Sequence, residues 1–340
     1  MFFGKKIADA FLITNPENIR WISGFSGSFG LVIFSDTEKI LITDARYFSA
    51  LNLGPGWKKR EYTSDFSIRY GEKFKGHFLL EESIALAKKK RIKKMFPHVY
   101  FSSVSGYWEN FRREKKSVEI HAIKTAQTQV DTHLIPFLKT RLHEGVTEKK
   151  LAFELEFHLR SGGKFDLSFP IIIAFGENSA IPHHTPGERK LLSGDNILVD
   201  LGLKYQSYCS DMTRNFCFRF IDSEFDHHYQ KLLSVQQLVC EKFLPGAKTK
   251  DLDFFARKNL GDREKYFTHS LGHGVGLEIH EAPTLNQKSA EKLRKGEVVT
   301  CEPGLYFPKK FGIRIEDMLY ITEKNPEILT KTPRDLIVFP

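Results

Sequence analysis

The chain has 340 residues, 41% of them hydrophobic and 27% charged, a balance that supplies a core and excludes a disordered or fibrous protein. No run of about 18 apolar residues occurs, so no membrane-spanning helix is expected. The net charge of +9 and pI near 9.2 admit a nucleic-acid surface. Much of that excess, however, sits in KKKRIKK, Lys88 to Lys94, with no interleaved aromatics, and reads more simply as the solvated face of a helix.

The N-terminus, MFFGKKIADAFLIT, puts two Phe ahead of two Lys, the wrong order for a signal peptide. Four cysteines, Cys209, Cys217, Cys240 and Cys301, form no CxxC. They read as buried or free thiols, and the expected location is a reducing cytoplasm.

The first third of the chain alternates short strands with helices. DAFLITN predicts a strand, after which Asn15 caps a helix whose first residue is Pro16. LVIF and KILI flank the polar turn SDTE and predict a hairpin. Phe78 to Phe101 holds a strand, the basic helix and another strand. The pattern changes near FRREKKSVEI. Ser117 is placed to cap a long helix with Ile120, Ile123, Val130, Leu134 and Phe137 on one face, and Pro136 inside it predicts a kink or break. A second helix follows Thr147 through Leu151, Leu155 and Leu159, and IIIAF, NILVDLGLKY and RNFCFRF predict strands. GVTEKKLAFEL from Gly145 and GAKTKDLDFFA from Gly246 are similar. Each is a Gly, a Thr cap and a helix with an early Leu. The pair predicts a duplicated, pseudo-twofold unit, although chance is a serious rival for so short an echo.

Four acids stand in costly places. Asp200 interrupts ILVDLG, Asp211 lies eleven residues later in YCSDMTRNF, Glu302 follows VVTC, and Glu316 follows Ile315. A charge inside an apolar strand needs a partner or a metal, and one such acid alone would read as a salt bridge at a strand end. Four carboxylates gathered together repel and take up protons, whereas two divalent cations cancel their charge. A set of hard oxygens with one imidazole favours Mn²⁺ or Co²⁺, with Zn²⁺ and Fe²⁺ as alternatives. Between the acids runs HSLGHGVGLEIHE, residues 269–281, with three histidines and three glycines.

Taken in order, these motifs closely resemble one family, the pita-bread metallopeptidases: prolidase, aminopeptidase P, methionine aminopeptidase and the metal-free creatinase. NIRWISGFSGSFG is similar to the family's N-terminal signature, with Trp21 where Tyr is usual. DLGLKYQSYCSDMTR, HSLGHGVGLEIHE, TCEPGLYF and GIRIED match its other motifs. The resemblance implies an α+β protein, with a pita-bread catalytic domain over residues 117–340 preceded by a smaller α/β creatinase-like domain over 1–116.

It further implies that Asp200, Asp211, His273, Glu302 and Glu316 hold two divalent metal ions, Mn²⁺ first and Co²⁺ or Zn²⁺ as alternatives. Asp211 and Glu316 would bridge the pair, Asp200 would serve one metal, and Glu302 would complete the shell of the other. His183, His269, His280 and Arg314 would face the substrate. His280, His183 and Glu302 would act in catalysis, the histidines on developing charge and Glu302 as proton shuttle. Thr213 is a candidate to orient a carboxylate, and His184 reads as incidental.

The implied activity is hydrolysis of the bond before proline, by a hydroxide shared between the metals, on small peptides with proline second. Dipeptides are preferred, the enzyme being a dipeptidase or an aminopeptidase, and a homodimer is the expected assembly. The rival reading is a non-catalytic pita-bread protein with a basic face toward nucleic acid. Lost ligands would mark it, and none is lost. Two features depart from the family: Pro136 in its helix, and only eight residues ahead of Asp9, so that a first helix is short or missing.

Overall fold

The structure, a computed structural model, describes residues 8–340. The expectation of a short or missing first helix falls on residues 1–7, outside the described residues. Two compact units make up the chain, the first ending at Arg112 and the second running from Arg113 to Pro340. Arg113 and Lys115 lie a few residues ahead of the division placed at 116/117. They are tied into the second unit by ion pairs, Arg113 to Glu297 at 2.6 Å and Lys115 to Glu281 at 3.2 Å. Among the described residues no helix is long and apolar enough to cross a membrane.

The first unit is built on one mixed sheet, with strands in the order Trp57–Glu61, Lys39–Thr43, Leu31–Phe34, Ala10–Ile13, Gly76–Glu81 and Val99–Val104. Alternation along the strands explains its two cores. Leu12, Ile33, Ile40 and Leu80 point to one face, where Phe66, Ile92 and Met95 pack, while Phe11, Ile13, Val32 and Leu41 point to the other, against Trp108 and Ile19. The expected α/β domain is present, including the antiparallel Leu31–Phe34 and Lys39–Thr43 hairpin. Asn15 caps helix Pro16–Ser23 by accepting from the amides of Glu17 and Asn18. The basic run forms helix Leu86–Met95, anchored by buried Ile92 and Met95.

In the second unit, helix Ser117–Arg141 departs from expectation at its cap. Ser117 is its first turn rather than its cap; the cap position is Lys116, whose amide donates to the Glu119 carboxylate at 2.6 Å. Pro136 does not break the helix, which runs on to Arg141. The fully buried Val130, Leu134 and Leu138 hold the turns before and after Pro136 on one core, and that packing outweighs the missing backbone donor. Thr147 caps helix Glu148–Arg160 as expected, accepting from the Lys150 amide at 3.2 Å.

The echo between residues 145 and 246 is a backbone repeat. Gly145 and Gly246 both turn with positive φ, 86° and 87°. Their amides donate to Leu191 and Leu293, and those residues return the bond to Val146 and Ala247. A helix follows in each half, Glu148–Arg160 and Thr249–Leu260, then a central strand, Asn196–Leu201 and Val298–Cys301. The Thr cap repeats only in part, because Lys248, not Thr249, occupies the second cap position. The first central strand pairs antiparallel with Met212–Phe218, the second with Asp317–Tyr320. Each half therefore brings one acid at the end of its central strand and one at the start of the partner strand: Asp200 with Asp211, Glu302 with Glu316.

Candidate metal centre

Strand register explains how four acids converge. Thr213 pairs with Asp200, and Cys301 pairs with Asp317, so continuing the second ladder by one step sets Glu302 opposite Glu316. The halves meet where the Glu316 amide donates to the Thr213 carbonyl at 3.2 Å. The Thr213 hydroxyl donates to Glu316 Oε2 at 2.7 Å, the contact expected of a residue that orients a carboxylate.

His273 sits on the short strand Gly272–Gly274, inserted between Glu281–Leu285 and Val298–Cys301. The glycines around it answer to crowding. A Cβ on Gly272 would lie 2.1 Å from the Thr300 carbonyl oxygen, and one on Gly274 would lie 2.3 Å from that of Ala282. His273 Nδ1 donates to the Gly274 carbonyl at 3.1 Å, which leaves Nε2 as the lone-pair nitrogen. That nitrogen faces Glu302 Oε1 at 3.3 Å and Asp211 Oδ2 at 3.6 Å. Burial, then the neighbouring His280, pushes the His273 pKa down to about 4, so its imidazole is neutral and free to ligate near neutral pH.

Ligand-capable atoms of Asp211, His273 and Glu316 all lie within 4.8 Å of one another. Burial, with Glu316, Asp200 and Glu302 nearby, holds the Asp211 carboxyl well above the usual range. Burial and Glu316 do the same to Glu302, and burial and Asp200 push Glu316 up to about 8. Asp200 has one oxygen gripped by Arg314 Nη2 at 2.6 Å, while its buried Oδ1 has no hydrogen-bond partner among the described residues. An orphaned buried acceptor beside three acids driven toward protonation is an unmet demand for positive charge. This donor set fits divalent metal ions.

All nine expected site residues, Asp200, Asp211, His273, Glu302, Glu316, His183, His269, His280 and Arg314, line one pocket of about 760 Å³. Phe169, Pro170, Ile172 and Ile279 add apolar wall. The His280 ring meets His273 edge to face, centroids 4.4 Å apart, and its pKa is lowered, by burial first and His183 second. His269 accepts from the Tyr306 hydroxyl at 2.9 Å; burial and Arg314 push its pKa down to about 3. The expectation that Arg314 binds substrate meets a guanidinium already engaged. Besides Asp200 it donates to Thr213 Oγ1, the Tyr306 hydroxyl and the Pro182 carbonyl, at 3.0, 2.7 and 3.2 Å.

Several supporting residues carry no motif of their own. Thr300 accepts from the His273 amide at 3.0 Å and donates to Glu302 at 3.3 Å. It sits two residues before Glu302, which directly follows strand Val298–Cys301, so alternation was the available signal. Tyr306 lay within the quoted TCEPGLYF. His184 is not incidental: its Nε2 bonds Glu148 at 2.8 Å, and Glu148 is fully buried.

Known proteins resemble this chain over nearly its whole length. Residues 121–323 match the profile of Metallopeptidase family M24, and residues 2–114 match the Creatinase/Prolidase N-terminal domain. The chain is 33% identical to the uncharacterized peptidase YqhT of Bacillus subtilis, over 99% of this chain and 97% of that one. It is also 33% identical to the Xaa-Pro dipeptidase of Pyrococcus horikoshii, over 99% and 96%. Among solved structures, the prolidase from Pyrococcus horikoshii superposes with a TM-score of 0.92 at 32% identity, covering 99% of this chain and 97% of that one. The X-Pro aminopeptidase from Thermotoga maritima gives 0.88 at 32%, covering 97% of each.

Proposed function

The chain belongs to metallopeptidase family M24, with that family's creatinase/prolidase N-terminal domain, and from that premise we propose that it hydrolyses the peptide bond preceding proline in small peptides. The observation that carries the reading is the convergence of four buried carboxylates and one neutral imidazole on a single pocket, with Asp200 Oδ1 unpartnered among the described residues. The same convergence argues against a non-catalytic nucleic-acid binder, since every ligand position keeps a ligating side chain.

Asp200, Asp211, His273, Glu302 and Glu316 would hold two divalent ions, the oxygen-rich set favouring Mn²⁺ or Co²⁺ over Zn²⁺. When bound, such ions neutralise the carboxylates, acidify a water and polarise a carbonyl. Thr213 and Arg314 orient Glu316 and Asp200. The apolar wall of Phe169, Pro170, Ile172 and Ile279 seats a proline ring and a neighbouring side chain. His280 and His183 donate hydrogen bonds to charge that develops on the scissile carbonyl oxygen. Glu302 takes a proton from the attacking water and passes it to the proline nitrogen. His269 borders the substrate space. Arg314, with its donors engaged, acts through Asp200 rather than on a peptide carboxylate.

We retain the expectation of a preference for dipeptides, and of a homodimer, from the likeness to prolidases. Comparing kcat/KM for Ala-Pro, Ala-Pro-Ala and Ala-Ala tests the specificity. Ala-Pro should lead, turnover of Ala-Ala equal to that of Ala-Pro would end the proline assignment, and cleavage of Ala-Pro-Ala alone would place the enzyme with the aminopeptidases. Exhaustive chelation should abolish turnover and Mn²⁺ or Co²⁺ should restore it; full activity in protein verified as metal-free would end the metal mechanism.

A further inference from the structure

The loop carrying His183 is fastened by a buried carboxylate that the mechanism above does not use. Glu148 opens helix Glu148–Arg160 and is fully buried. Its Oε1 accepts from the Phe175 amide at 2.8 Å and from Asn178 Nδ2 at 2.9 Å. Its Oε2 accepts from His184 Nε2 at 2.8 Å and from the Gly187 amide at 3.1 Å. Four donors spread over residues 175–187 thus converge on one side chain. The first turn of a helix is also where the aligned peptide dipoles favour a carboxylate.

Among the described residues His183 itself makes no such bond; it is exposed and lines the pocket. Its two neighbours are tied down. Pro182 gives its carbonyl to Arg314 Nη1 at 3.2 Å, and His184 is held by Glu148. A residue between two fixed neighbours has little backbone freedom left, while a loop released on one side sweeps its side chain through ångström-scale errors that a hydrogen bond to a reacting oxygen does not tolerate.

We propose that Glu148 and His184 form a positioning pair that holds the His183 loop in register with the metal-ligand cluster, so that His184, the second histidine of the pair, acts through the first. The proposal rests on the assignment of His183 to the substrate.

The test is a double-mutant cycle on the full chain. H184A should lower kcat/KM on Ala-Pro about tenfold, the scale seen when supporting contacts to a site residue are cut. In an H183A background the same change should cost less than about twofold, because the side chain it positions is gone. H184Q, whose amide reaches the place of Nε2, should recover most of the loss. An equal loss in both backgrounds, or H184Q no better than H184A, would show ordinary destabilisation and overturn the proposal. A second readout is independent of turnover: the imidazole NMR signals of His183 should move or broaden in H184A, and an unmoved signal overturns the pair. If H183A alone costs nothing, the substrate role of His183 falls, and the NMR comparison still decides whether Glu148 and His184 position it.

Discussion

Arg314 and Asp200 form a hydrogen-bonded ion pair, Nη2 to Oδ2 at 2.6 Å, with side chains only 4% and 12% exposed. Two strands from different halves of the second unit meet through it. The pair leaves one Asp200 oxygen committed and the other open, so Arg314 sets which carboxylate oxygen a cation can reach. Its remaining bonds, to Thr213, Tyr306 and Pro182, make it a hub whose planar fork an ammonium cannot replace.

Arg314→Lys should therefore keep the charge and lose the geometry. Turnover should fall by about ten- to a hundredfold, as for other contacts that orient a ligand, while metal content by elemental analysis stays close to that of the parent. A variant as active as the parent would show that charge alone suffices.

Asp211→Asn and Glu316→Gln each remove a negative charge from the centre of the cluster. Each should cost at least about a hundredfold in kcat/KM and weaken metal retention after dialysis. Comparison with H184A provides the scale, since that change acts through a loop rather than on the cluster. A smaller loss for Glu316→Gln than for H184A would mean that the carboxylates are not the centre of the chemistry.

The metal-free protein should lose stability as pH rises. Glu316, pushed up to about 8 from 4.5 by burial and then Asp200, binds its proton in the folded state at pH values where the unfolded chain has released it. Its contribution is full below the unfolded value and is lost as pH climbs through the folded one. Asp211 and Glu302 shift in the same direction. The lowered values of His269 and His273 act in the opposite sense below the unfolded imidazole value of 6.5, so melting temperatures of chelator-stripped protein should fall from about pH 6.5 to about pH 8, and Mn²⁺ should remove that fall. A melting temperature that rises over the same window would contradict the carboxylate cluster as described.

The basic helix should be dispensable for turnover. Lys88 donates to the Thr14 carbonyl at 2.8 Å and Arg91 stacks over Tyr62 at 4.9 Å, so those two are structural. Lys90, Lys93 and Lys94 are exposed. Converting these three to Gln relieves like charges four residues apart, worth roughly 0.2–0.5 kcal/mol per pair. Kinetics on Ala-Pro should stay within about twofold, since exposed charges act little beyond a Debye length. A large loss would overturn the solvated-face reading.

What was legible in the sequence is what near neighbours decide. Asn15 and Thr147 cap helices because each accepts from amides two or three residues on. Strand alternation in residues 10–13 and 31–34 sorts side chains to two faces whatever lies beyond them. The unusual acids were legible too, since an acid in an apolar strand is costly wherever it occurs, and the order of the motifs carried the family. Tertiary structure alone decided the partners. Arg314 finds Asp200 across 114 positions, Thr213 finds Glu316 across 103, and Glu148 finds His184 across 36. These contacts depend on sheet register and on how the helices pack over it, which no local pattern encodes. Pro136 shows the same limit from the other side. Its local rule predicted a kink or a break, and the helix stays continuous through it because the buried face of Val130, Leu134 and Leu138 stabilises a helix by more than one lost backbone bond costs.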